Sequence, residues 1–399
     1  MTGRTDKHIQ NISEHIVIIW RLLGSNMSKC DHISWLELVE GKAGPLLAYG
    51  SRVSQVISEL SNPSTQFPQT VFFMGRRSKN QALRQLCGSN YRDQHRHQRT
   101  INLRLDNQTF QSAHPRIFAD TDPTCRSIPP PFESPRVCHQ QENIPVQWPE
   151  TEYAPHDLVI ARLLFLFTDV LCIFADDLGG LKGVQKYLST WIQIGSASSL
   201  PAAIRPRVIV VLGGQPKSIT NSVLDEDDFL FELLHLSGLS FFAAFSGIQI
   251  SRLPAEDLSP DARYLQLGSD LSAQLRHMRQ IRETHRVLFT AKHFNALFEE
   301  ALQHTTTAML TPYNFVLAAR RQNPLDGAFI SHLVNFICIG GKSRATYDDL
   351  ASYIASAMLM DAYPPGMYSK YSALSPLAIN VILNNCSVLS QSCLPVFIL

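Results

Sequence analysis

Charge is scarce in this sequence. Asp, Glu, Lys and Arg make up 17% of its 399 residues, against about 25% in an ordinary globular chain. Neither sign prevails, because 35 Lys plus Arg face 34 Asp plus Glu. That balance removes the electrostatic case for bulk binding to nucleic acid or to a membrane surface. Glycine and proline, at 20 and 23 residues, are not enriched, which excludes collagen-like and low-complexity chains. None of the eight cysteines forms C-x-x-C, and Cys172 and Cys338 sit in apolar stretches. This is the usage of an intracellular chain with buried thiols, not of a small disulfide scaffold. No clean membrane-spanning run exists. The longest apolar stretch, Leu158–Ala175, carries Arg162 and Asp169, each costing about 2.5–3.5 kcal/mol at a bilayer centre. The first fifteen residues are too polar to open a signal peptide, and the apolar run Ile16–Leu23 contains Arg21. No internal repeat is visible. What is plentiful is apolar content, 45% of the chain, enough to exclude wholesale disorder. Length suggests two to three domains, and a soluble, cytoplasmic protein is expected.

The apolar residues organise the chain. Over residues 1–65, Ile33, Leu36, Leu38 and Val39, then Val53, Val56, Ile57 and Leu60, recur at helical spacing. An N-terminal helical segment is expected there, ended by Asn62-Pro63-Ser64. Short apolar runs at Thr70–Met74, Arg116–Ala119, 169–175 and Arg207–Leu212 read as buried strands, and Leu239–Ile250 as a further strand. Helical patterns fall between them, at Asn80–Cys87, 157–167, Lys182–Gln193 and Asp225–Leu236. Residues 88–115 are polar and basic, and 121–156 are proline-rich loop. Strands alternating with helices give an α/β domain over 66–255 with a mostly parallel sheet. Helical patterns at 262–285, 290–304, 312–321, 326–338 and 346–361 then suggest a helical domain over 256–368, followed by a tail at 369–399.

The junction of the first strand and its helix carries the functional argument. Gly75-Arg76-Arg77-Ser78-Lys79 leads from the strand into a helix expected to start near Asn80. A phosphate-binding P-loop, G-x-x-x-x-G-K-[ST], occupies this kind of junction. Laid here, it makes Gly75 the first glycine, Asn80 the second, Gln81 the lysine and Ala82 the Ser/Thr. Asn tolerates left-handed geometry. Gln81 lacks the charge that meets the β/γ phosphates, and Ala82 lacks the hydroxyl that ligates Mg²⁺. Loop amides and a helix N-terminus would remain, and these alone favour an anion. Arg76, Arg77 and Lys79 could add positive charge. Asp120, after the 116–119 strand, stands where a P-loop NTPase holds Mg²⁺ through water. Gly213-Gly214-Gln215-Pro216 does not read as a guanine-recognition sequence.

Taken together, the stretches QFPQTVFFMGRRSKNQALRQL (66–86), TFQSAHPRIFADTDP (109–123), ARLLFLFTDVLCIFADDLGG (161–180), RPRVIVVLGG (205–214), HRVLFTAKHFNALFEEA (285–301), NPLDGAFISHLVNF (323–336) and LMDAYPPGMY (359–368) resemble a family. It comprises fungal multidomain proteins with a GTPase-like P-loop domain N-terminal to a patatin-like phospholipase domain. The resemblance runs in order over 66–368. It implies a P-loop NTPase-like, GTPase-like three-layer fold, a nucleotide contacted by Gly75–Ala82 and Mg²⁺ near Asp120, with GTP or ATP as the bound nucleotide. The departures are equally specific. Asn80-Gln81-Ala82 stands where the family has Gly-Lys-Ser, and no G-x-S-x-G nucleophile elbow follows. Leu325-Asp326-Gly327-Ala328 contains D-G-A upstream of any patatin domain and reads as a helix-capping turn. Residues 370–399 fall outside the resemblance.

Other motifs read more simply. Gly340-Gly341-Lys342-Ser343 lacks the earlier glycine, since Phe336 stands there, and reads as an inter-helix turn. His95-Arg96-His97, with Arg92 and Arg99, reads as a solvated basic loop. Cys125, Cys138 and His139 lack a fourth zinc ligand. His235, His277 and His285 occur singly on helices. Asp176-Asp177-Leu178-Gly179-Gly180 after a buried strand is either a capping turn or a carboxylate pair at a ligand crevice. The expectation is a degenerate nucleotide-binding-like, pseudo-GTPase module that regulates or binds protein partners, with little or no NTP hydrolysis and no nameable catalytic residue. The alternatives are an active Mg²⁺-dependent NTPase using Arg76, Arg77 or Lys79, and part of a lipid acyl hydrolase whose catalytic domain lies elsewhere.

Overall fold

A computed structural model of the chain describes residues 33–42, 44–87, 100–124, 141–214, 226–237, 240–255, 257–315, 318, 327–343 and 346–362. Residues 1–32 of the expected N-terminal helical segment, the basic cluster at 92–99, the Cys125/Cys138/His139 group, Asp326 and residues 370–399 lie outside the described residues.

The strands are β1 (Ser34–Gly41), β2 (Gly44–Gly50), β3 (Gln69–Met74), β4 (Ile101–Leu105), β5 (Arg116–Thr121), β6 (Gln141–Pro145), β7 (Val170–Phe174), β8 (Arg207–Gly214) and β9 (Gly247–Ala255). The helices are α1 (Arg52–Ser58), α2 (Arg77–Cys87) and α3, which runs Pro155–Val159, through a π turn at Ile160–Leu164, to Phe165–Phe167. Next come α4 (Gly180–Ile194), α5 (Glu226–Ser237), α6 (Phe241–Ala244), α7 (Pro260–Thr284), α8 (Ala291–Ala308), α9 (Phe329–Lys342) and α10 (Tyr347–Ala362).

The nine strands among the described residues form one mixed sheet in the order β6-β2-β1-β4-β5-β3-β7-β8-β9. From β5 to β9 every pairing is parallel, and from β6 to β5 every pairing is antiparallel. The protein is therefore α/β, with a parallel half and an antiparallel wing. The parallel strands are buried on both faces, as helix-covered parallel strands must be. Val71 and Phe73 of β3, Val170 and Cys172 of β7, and Ile209 and Val211 of β8 face α2 and α7. Their alternates Phe72, Leu171, Ile173, Val208 and Val210 face a second core built with α1, α3, α4, α5 and α8. Three layers result.

Two expectations about organisation are corrected. Residues 34–50 form the β1–β2 hairpin rather than a helix. Trp35, Leu36, Leu38 and Val39 are all buried, so apolar residues fall on both faces and the period of two is lost. Only α1 keeps the helical reading. The second correction concerns the C-terminal helical domain. Leu267, Leu271 and Leu275 of α7 lie against the central strands. Gln69 Nε2 donates to the Leu275 carbonyl at 2.7 Å, and Arg282 Nε meets Asp169 Oδ1 at 2.6 Å. On the other face, Phe294 and Phe298 of α8 pack on Phe167 with ring centroids 5.0 and 5.4 Å away. Helices α7 and α8 thus belong to the sheet's own layers, and no boundary falls at 255. The strand expected over Leu239–Ile250 is α6 followed by β9, while β4 and β6 lie in stretches expected to be loop. Among the described residues no helix is long and apolar enough to cross a membrane. The stretch 158–175 is α3 and β7.

Candidate functional site

In an open α/β sheet, ligands bind outside the carboxyl ends of parallel strands, where neighbouring connections diverge. Here that point lies beside β3, whose neighbours β5 and β7 are reached on opposite sides. Gly75 closes β3, Asp122 follows β5, Asp176 and Asp177 follow β7, and Gly213 lies at the end of β8. The sequence-derived site residues therefore do converge on one edge of the sheet.

Their arrangement differs from the expected loop. Helix α2 begins at Arg77 rather than near Asn80, so only Gly75 and Arg76 separate it from β3. A P-loop needs four residues between its glycines; this turn has no room for them. Asn80 and Gln81 are helical, with Gln81 exposed and its Oε1 accepting from the Tyr264 hydroxyl at 3.4 Å. Ala82 is buried in the core beside Leu83. None of these three can play the role its position in the motif assigned.

What remains is a helix N-terminus with its free amides, and it is already filled. The Asp177 carboxylate accepts from the backbone N–H of Arg76 at 2.6 Å, Arg77 at 3.1 Å, Ser78 at 3.0 Å and Lys79 at 3.1 Å. The first turn of α2 contains no acidic residue of its own, so Asp177 supplies both the cap and the negative charge that the helix dipole favours. Its neighbour Asp176 accepts from the Gly213 N–H at 2.9 Å. The acidic pair after β7 thus pins the ends of β3 and β8. Gly75 is required for this, because its φ is +149° and a Cβ there would meet Asp177 Oδ2 at 2.6 Å. The alternatives left open for the Asp176-Asp177 turn resolve into a cap, though for a helix about 100 residues earlier in the chain.

Lys79 points away from this cradle. Its ammonium is buried, 2.8 Å from Asp120 Oδ1, and donates also to the Thr121 carbonyl at 3.4 Å. Arg104 Nε lies 3.4 Å from Asp120 Oδ2, and Asn102 Nδ2 donates to Oδ1 at 3.2 Å. Burial alone would push the Asp120 carboxyl up, but Lys79 and Arg104 hold it below its ordinary value. One carboxylate here serves two cations. A Mg²⁺ at Asp120 would have to enter a pocket already positive, without the hydroxyl that Ala82 lacks. The residues present do not fit a Mg²⁺–nucleotide. Among the described residues, no group of three or more His, Cys, Asp or Glu side chains gathers as a metal site. Arg77 is exposed, and Arg76, largely exposed, has its Nε 3.8 Å from Asp122. Pairs of that kind contribute little.

Sequence reasoning missed Arg104 and Asn102 because it missed β4. A signal existed in Ile101-Asn102-Leu103-Arg104-Leu105, whose strict alternation is that of a strand. No family model matches the chain, and no curated protein matches it. Among solved structures, the siderophore hydrolase EstA from Aspergillus nidulans aligns over 63% of this chain and 95% of its own, at 11% identity and a TM-score of 0.22, too loose a likeness to bear on function.

Proposed function

We propose that this chain is a degenerate nucleotide-binding-like module of GTPase-like plan, a pseudo-GTPase that regulates or binds protein partners and hydrolyses little or no NTP. The sheet order supports the plan. The parallel run β5-β3-β7-β8-β9, with helices on both of its faces, is in keeping with the three-layer plan that the resemblance implies, while the antiparallel wing β6-β2-β1-β4 lies outside it. The single observation that carries the loss of activity is the Asp177 carboxylate on the four amides at the start of α2. With Gln81 and Ala82 in the places of the motif's lysine and hydroxyl, those amides would have to carry most of the phosphate binding, and an internal anion occupies them. An incoming phosphate would have to displace a tethered carboxylate and then lie beside Asp176 and Asp122, with like charge opposing it.

The alternative of an active NTPase loses support for the same reasons. Lys79 is committed to Asp120, and Arg76 and Arg77 sit on the exposed rim. The lipid acyl hydrolase alternative has no nucleophile elbow to rest on. The test is a titration of the purified chain with fluorescent GTP and ATP analogues, with and without Mg²⁺, at fixed salt. No binding up to millimolar nucleotide is expected. Micromolar binding that strengthens with Mg²⁺ would overturn the proposal and return the active NTPase to the lead.

A further inference from the structure

Helix α5 is apolar on two opposite faces. Phe229 and Leu233 are fully buried, and Leu230 packs partly against the same core. At 3.6 residues per turn, Phe231 stands about 200° round the helix from both Phe229 and Leu233, so it faces away from the layer that buries them. It is 69% exposed, and Leu234 is 41% exposed. The two are surface neighbours at i, i+3. His235, four residues after Phe231, stacks on the phenyl ring, with centroids 5.5 Å apart and planes 6° from parallel. The stack holds the Phe231 ring in one orientation. The same face opens with carboxylates. Asp227 and Asp228 are exposed in the first turn, and neither has an ion-pair partner among the described residues, whereas Glu226 is paired with Arg252. The helix dipole favours acids at this end, but it gives no reason for the outward Phe231 and Leu234 that follow.

An aromatic ring in the middle of an outward face, with an apolar neighbour and charge at one end, has the layout of an interface: apolar anchors centrally, charged groups at the rim. A ring already held in place also loses less freedom on binding. The occupant's chemistry follows from the charges. Asp227 and Asp228 call for Lys or Arg opposite them, and Phe231 and Leu234 call for apolar side chains further along. Asp227, Phe231 and Leu234, at i, i+4 and i+7, lie along one helical ridge, and the surface that takes such a ridge is the groove of a second helix. A helix with an apolar stripe and basic residues displaced towards one end meets both needs. We propose that the outward face of α5 docks a basic amphipathic helix of a protein partner. The proposal uses none of the residues of the β3–α2 turn, so it goes beyond the nucleotide reading and stands whether or not nucleotide binds.

The test pans a phage-displayed library of randomised helical peptides on the immobilised full chain, with Phe231→Asp as the counter-selecting variant. The peptides recovered should carry Lys or Arg beside an apolar stripe at i, i+3 and i+4. Phe231→Asp should weaken them by about tenfold or more, as loss of a central anchor does. Because Phe231 is exposed, the denaturation midpoint of that variant should match wild type; Leu234→Gln is the milder second variant and should weaken binding in the same direction. The pair Asp227→Asn and Asp228→Asn should slow association at low salt, with the difference fading as salt rises. If the peptides recovered bind Phe231→Asp and Leu234→Gln as tightly as wild type, or none survives the counter-selection, the proposal is overturned. Peptides that depend on Phe231 but are acidic or uncharged would overturn the basic partner. Sedimentation velocity of the full chain supplies the remaining arm: a dimer that Phe231→Asp converts to monomer would mean that a second copy covers the face, and it would overturn the proposal too.

Discussion

Replacing Asp177 by Ala tests the central feature of the site. The change removes one carboxylate that accepts four backbone N–H groups of α2 at 2.6–3.1 Å. Loss of a helix N-cap costs about 0.5–2 kcal/mol. A negative charge at a helix N-terminus adds about 0.3–1 kcal/mol where exposed, more where partly buried. Asp177 is half-buried, so a combined loss of about 2 kcal/mol is expected in the free energy of unfolding. Asp177→Asn keeps one carbonyl oxygen facing the amides but no charge, and should lose about half as much. The assay is chemical denaturation with hydrogen exchange read at residues 77–79. Those amides should lose protection in Asp177→Ala well before the strand amides of β3 do, because the cap fails locally. A stability within about 0.3 kcal/mol of wild type, with exchange at 77–79 unchanged, would refute the argument that Asp177 occupies the cradle in solution.

Three further outcomes follow from the same residues. Gly75→Ala puts a Cβ 2.6 Å from Asp177 Oδ2 at a φ of +149°; a cost of about 2 kcal/mol is expected, and a variant as stable as wild type would mean the turn can relax. Lys79→Met leaves Asp120 buried with Arg104 as its remaining cation, and thermal and denaturant melts should show a loss on the order of 3 kcal/mol. Acid provides a third check. The native carboxyl of Asp120 lies below its unfolded value of about 3.9, so its contribution is full above that value and is lost as pH falls through the lower native one. Unfolding free energies between pH 6 and pH 3 should therefore fall less steeply below pH 4 in Asp120→Asn than in wild type, and equal slopes would contradict the ion pairing.

The parts of the fold legible in sequence were those whose physics is local. Strands β3, β5, β7 and β8 stand out because a helix-covered parallel strand is a short continuous apolar run. Helices α4 and α7 stand out by length and periodicity. The hairpin β1–β2 does not, since burial of Trp35, Leu36, Leu38 and Val39 on both faces imitates a helical period. The domain boundary at 255 failed because helical pattern alone cannot say what a helix packs against. At the site, the identities of Gly75, Lys79, Asp120 and Asp177 were all visible, and so was their gathering at one sheet edge. Their pairing was not. Arg77-Ser78 does not announce a helix start when the capping carboxylate comes from residue 177, and Lys79 gives no sign in the sequence that it turns inward to Asp120.

The distant cap has a consequence for the order in which the chain assembles. Helix α2 has eleven residues and no acidic side chain in its first turn, too short to persist alone in water. The group that completes it is some 100 positions away on the far side of β7. During synthesis, α2 leaves the ribosome well before that carboxylate exists, and its first turn stays frayed until β7 docks beside β3. In refolding, amide protection at residues 77–79 should accordingly develop together with that of β7, not with that of β3, making the start of α2 a late reporter of closure between two segments that the chain delivers at different times.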